Sequence, residues 1–119
     1  MNATQIGNRL VELLNAMEMD KVYAELYSPN IESIESDGMV SKGMEGIHAK
    51  NEWWANTFEV LEWVNVGPFP HGESMFCIIY RLKTKNKESG DVTEFEEVGV
   101  YDVEDGKIVR ERFCYTPGT

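Results

Sequence analysis

Apolar residues recur first every three to four positions and then every second position, and the change comes near residue 58. Over residues 4–17, Ile6, Leu10, Leu13, Leu14 and Met17 share one face of a helix. Asp20 suits the N-cap of a second short helix carrying Val22, Tyr23, Leu26 and Tyr27, with Pro29 just beyond its end. Residues 31–37 predict a short strand and Gly38 a turn. A third helix over 44–58 puts Met44, Ile47, Asn51, Trp54 and Phe58 on one stripe. Trp53 stands about 100° round from Trp54, so the two indoles cannot face the same surroundings.

Beyond the third helix, alternation predicts strands over 59–66, 73–83, 92–103 and 107–115. Gly67-Pro68-Phe69-Pro70-His71-Gly72 reads as a rigid connection, and residues 85–90 as a polar hairpin loop. Helices first and an antiparallel meander afterwards predict an α+β fold, a single domain over 1–119. Four hairpin-linked strands curl because sheets twist, so the curved antiparallel sheet wraps the helices as a cone.

The closing ribbon holds the candidate chemistry, and its register decides which carboxylates face inward. A two-residue Asp105-Gly106 loop pairs Glu104 with Lys107, setting Tyr101 against Arg110 and Glu97 against Cys114. A three-residue loop pairs Val103 with Lys107, Gly99 with Glu111 and Glu97 with Phe113. The three-residue loop is preferred because it puts Glu96 on the outer face with Arg112, an arginine for it to pair with. Glu97, Tyr101, Glu111, Phe113 and Tyr115 then share the inner face, with Glu97 and Glu111 as diagonal neighbours. Two buried carboxyls near one another resist joint ionisation, and such a pair suits acid–base work. Tyr101 and Tyr115 would orient a ligand, Trp54 and Phe113 would wall it, and His71 is a further ligand-binding candidate.

Composition narrows the partners. A formal net charge of -10 repels nucleic acid and anionic membrane surfaces. No apolar run approaches spanning length, and residues 1–5 lack the basic and apolar regions of a signal peptide. Cys77 and Cys114 sit in strand-like runs as reduced cysteines, which predicts a cytoplasmic protein. The acidic residues of 91–105 alternate across a sheet and do not converge, so neither a metal nor a cofactor is expected.

The order of elements carries a resemblance. Leu26-Tyr27-Ser28-Pro29-Asn30 leads two helices into a short strand, residues 43–47 open the third helix, and Asp105-Gly106-Lys107-Ile108-Val109 closes the chain. This resembles the SnoaL-like group of the nuclear-transport-factor-two-like superfamily, whose fold is an α+β cone. Lys50-Asn51-Glu52-Trp53-Trp54, with the 67–72 segment, looks like a subgroup without an assigned role. The resemblance implies polyketide cyclase, ketosteroid isomerase, epoxide hydrolase or non-catalytic binding roles. The cyclase aspartate would fall at Gly99, and the inward cyclase histidine at Glu111. The isomerase tyrosine would fall at Leu10, its base near Glu35 or Asp37, and its proton donor near Glu97. Two expectations follow. One is an enzyme moving a proton on a small apolar molecule with Glu97 and Glu111. The other is a non-catalytic binding or scaffold domain, homodimeric through the sheet.

Overall fold

The structure is a computed structural model, and it describes residues 1–115. Helix α1 spans Ala3–Asn15, α2 Met19–Leu26 and α3 Gly43–Thr57. The strands are β1 Tyr27–Ile34, β2 Val40–Lys42, β3 Phe58–His71, β4 Met75–Asn86, β5 Val92–Glu104 and β6 Lys107–Cys114. They form one six-stranded sheet in the order β2-β1-β6-β5-β4-β3. Among the described residues, only β1 and β6 pair in parallel; the other neighbours are antiparallel. The α+β architecture is the expected one.

Helix α1 starts at a capping box in which Asn2 and Gln5 exchange side-chain bonds with each other's backbone N–H. It ends two residues earlier than expected. Met17 has a φ of 58° and is 74% exposed, so it leaves the apolar stripe. Helix α2 is entered from Glu18, without a side-chain cap, and Asp20 lies inside its first turn. There its charge meets the positive end of the helix dipole. Tyr27 and Pro29, expected at and beyond the helix end, belong to β1.

The 67–72 segment is not a separate connection. Strand β3 runs on to His71, and the ladder to β4 skips Gly67 and Pro68 in a bulge. An edge strand can absorb proline because one of its N–H rows has no partner. The same bulge brings Pro68 against α1. A Cβ on Gly7 would lie 2.8 Å from the Pro68 Cβ and 3.2 Å from the Phe76 ring.

The inner face carries Ile31, Phe76, Ile78, Tyr80, Tyr101, Val103 and Ile108 against Ile6, Leu10, Leu13 and Leu14 of α1 and Val22 and Leu26 of α2. Helix α3 buries only Ile47 fully and packs mainly on β1 and β2, over one end of the cone. The outer face is rich in apolar residues. Val66, Ile79, Val98 and Cys114 form one row, and Phe69, Cys77, Val100 and Arg112 the next.

Candidate functional site

The closing hairpin follows neither expected register throughout. Asp105 and Gly106, at φ of 51° and 74°, make the two-residue loop, and Glu104 pairs with Lys107. A bulge at Val109 then shifts the ladder, so Tyr101 pairs with Glu111 and Gly99 with Phe113. The bulge restores the inner face that the three-residue loop would have produced. Glu97 and Glu111 nevertheless stand further apart than expected, because the Gly99–Phe113 pair lies between them. They are not diagonal neighbours. Glu96 pairs with Arg81 rather than Arg112, at 3.1 Å.

Glu111 is 3% exposed. The Tyr27 hydroxyl donates to its Oε2. Ser33 lies opposite Glu111 in the parallel β1–β6 ladder. Burial raises the Glu111 carboxyl above the ordinary range, against the Lys50 charge and the Tyr27 and Ser33 hydrogen bonds, which pull it down.

Lys50 joins these groups from α3. Its Nζ donates to Ser33 Oγ at 2.5 Å and to Glu35 Oε1 at 2.7 Å, and lies 3.9 Å from Glu111 Oε1. It also sits 4.7 Å from the centroid of the Phe113 ring. One turn of α3 holds Asn51 too, whose Nδ2 donates to the Tyr23 hydroxyl. Burial, with the Glu111 charge, pushes Tyr23 up to about 12.

Glu97 lies nearer the open end, partly buried and opposite Tyr80. Burial, with the charges of Glu35 and Glu111 behind it, pushes its carboxyl up to about 7 although Lys50 opposes this. Deeper in, the hydroxyls of Tyr80 and Tyr101 bond to each other. The Tyr101 ring stacks on Phe76 at 4.9 Å and meets Phe113 edge-on at 6.4 Å. These rings fill the bottom of the cone. Gly99 makes room for them: a Cβ there would lie 2.9 Å from ring carbons of both Tyr80 and Tyr101.

Of the expected ligand residues, Tyr101 is buried at the bottom and Phe113 half-buried beside Lys50. Tyr115 is half-buried against Phe95, at 6.4 Å. Trp54 is half-buried and packs on Phe58 at 5.7 Å. Trp53 is 61% exposed, which settles which indole faces the protein. His71 is exposed and stands in the row of Met75 and Asp102, one residue off the inner Phe76–Tyr101 row. The structure therefore does not bring His71 to the other candidates. Two open grooves of about 410 and 490 Å³ lie elsewhere, and neither is lined by Glu97, Lys50 or Glu111. Among the described residues, no cluster of histidine, cysteine, aspartate and glutamate is arranged to hold a metal ion.

Sequence reasoning passed over Lys50, Ser33 and Tyr27 as site residues, and reached Glu35 only through the isomerase resemblance. Lys50 could have been found, because it lies three residues after Ile47 and four before Trp54, on the inward stripe. Ser33 and Tyr27 reach Glu111 only through the parallel β1–β6 pair, which no local pattern announces.

The SnoaL-like domain profile matches residues 1–115. The chain belongs to the SnoaL-like domain family. A SnoaL-like protein of Mesorhizobium loti, described as a candidate polyketide cyclase, is 30% identical over 97% of this chain and 100% of its own, with a TM-score of 0.87. A nuclear-transport-factor-two-like protein of Burkholderia thailandensis shares the fold at 14% identity and a TM-score of 0.83, over 98% of this chain and 92% of its own. TerC, crystallised with polyporic acid, shares it at 11% identity and a TM-score of 0.72, over 89% and 85%. No curated protein matches the sequence. The expected fold family is therefore the observed one. No helix among the described residues is long and apolar enough to cross a membrane.

Proposed function

We propose that this SnoaL-like chain binds a small, flat, apolar molecule at the open end of its cone and moves a proton on it, in the manner of an isomerase or cyclase. Glu97 is the exchanging group. Glu111 is the buried second carboxyl that holds the site's charge in place, and Trp54, Phe113 and Tyr115 supply apolar walls. The observation that carries this reading is a carboxyl on an aromatic inner face, pushed up to about 7 by burial and neighbouring charge. A general base works best when its pKa lies near the working pH. The polyporic acid co-crystallised with TerC supports the choice of a flat ligand at the level of the fold. A cytoplasmic homodimer, paired through the apolar outer face, completes the proposal.

A second reading is a non-catalytic binding or dimerisation scaffold. The packing of Phe76, Tyr80 and Tyr101 into the bottom of the cone favours it. Solvent exchange separates the two. In D₂O the wild type should speed deuterium incorporation beside the carbonyl of 2-tetralone, and Glu97→Gln should cut that rate by roughly 10²–10⁴-fold. No acceleration by the wild type between pH 6 and 9 would leave the scaffold reading.

A further inference from the structure

Lys50 has no part in the chemistry above, yet its ammonium meets Ser33, Glu35, Glu111 and the Phe113 ring. It gives up hydration to sit at 20% side-chain exposure. Fixing a long lysine stem costs rotamer entropy, so its placement needs strong acceptors. Ser33 and Glu111 supply two of them from the paired strands β1 and β6. Glu35 supplies the third and differs from both. It lies past the end of β1, where its N–H bonds the Met39 carbonyl in a turn, and it is 28% exposed. Its carboxylate can swing into water; those strand residues cannot.

Proton abstraction beside a carbonyl moves one negative charge. Glu97 takes the proton and becomes a neutral acid, the C–H electron pair becomes a carbon–carbon double bond, and the carbonyl π pair passes to oxygen. In a cone of low polarity that oxygen needs a cation. Lys50 is the cation whose charge acts on both Glu97 and Glu111. Its ammonium also lies by the Phe113 ring, beside which a flat ligand would rest.

We propose that Lys50 is the oxyanion partner of the ligand, that the ligand is a flat enolisable carbonyl or phenolic compound bound through its charged oxygen, and that this oxygen displaces Glu35. The proposal rests on the ligand-binding part of the function given above, and its test does not require turnover.

The test uses alizarin, a flat hydroxyquinone whose colour reports the ionisation of its phenol. Bound to the wild type, the dye should ionise at least about one pH unit below the free dye. Lys50→Met should abolish that shift, and Lys50→Arg should keep most of it. Glu35→Gln, which removes the competing carboxylate, should enlarge it. A role for Lys50 in folding alone would not produce the opposite signs of the Lys50 and Glu35 variants. If Lys50→Met does not fold, the Glu35→Gln result decides by itself. A bound dye that ionises identically in wild type and Glu35→Gln, or in wild type and Lys50→Met, overturns the assignment and leaves ligand binding intact. Absence of dye binding to the wild type overturns both.

Discussion

The hydroxyl of Tyr27 donates to Oε2 of Glu111, and the two residues are 84 positions apart in the chain. The bond joins the first residue of β1 to the middle of β6 and is buried. Removing the donor leaves a desolvated carboxyl short of a partner. Tyr27→Phe should therefore lower unfolding free energy by about 1–3 kcal/mol. The loss should be larger at pH 8 than at pH 4, because a protonated Glu111 needs fewer donors. Urea titrations at the two pH values measure it, and equal losses would mean that Tyr27 contributes only packing.

The raised carboxyls make stability depend on pH in a stated direction. Glu97 and Glu111 hold their protons more tightly in the folded than in the unfolded chain. The folded state then binds more protons above the ordinary carboxyl range, so stability falls as pH rises. For Glu97 the contribution is complete below about 4.5 and is lost as pH passes about 7. Glu97→Gln should flatten this part of the profile. A wild-type stability that climbs from pH 5 to 8 would contradict the burial of these groups.

Gly99 tests how tightly the inner rings are packed. A methyl group there meets ring carbons of Tyr80 and Tyr101 at 2.9 Å, and both rings are buried. Gly99→Ala should cost about 1–3 kcal/mol through overpacking. Thermal melting checks it, and an unchanged melting temperature would show that the rings can move aside. Gly99→Asp, which restores the residue type that the cyclase resemblance implies at this position, should fold worse still.

The outer face bears on assembly. Ile79 and Val98 are paired neighbours at its centre, with Val66 and Cys114 flanking them. If two copies meet there, Ile79→Asp should convert a dimer to a monomer in sedimentation velocity without lowering the melting temperature of the separated chain. A wild type that sediments as a monomer at 100 µM removes the dimer.

Period and turn chemistry carried most of the fold. The stripe of Ile6, Leu10, Leu13 and Leu14 and the alternation along β4, β5 and β6 are local signals, and the elements they predict are present. Pro68 and Pro70 mislead because a proline-rich stretch reads as a break, whereas an edge strand accommodates it in a bulge. The inner placement of Glu97, Tyr101, Glu111 and Phe113 was legible from alternation, but the spacing of the two glutamates was not. It depends on a bulge at Val109, where nothing local distinguishes valine from its neighbours. The contact of Lys50 with Ser33 and Glu35 depends on how α3 lies over the β1 end, a matter of tertiary packing.

The parallel union of β1 with β6 also orders events during synthesis. Ser33 and Tyr27 emerge from the ribosome long before Glu111, and the strand between β1 and β5 is the last in the sheet to be made. Until it arrives, β1 and β5 lack their shared neighbour, and the N–H and C=O groups it would satisfy are open to stray pairing. Closing that gap joins segments far apart along the chain, which is slow for entropic reasons. A nascent chain halted before residue 107 would thus lack the strand that seals the sheet, and its unpaired edges and apolar residues would be open to aggregation.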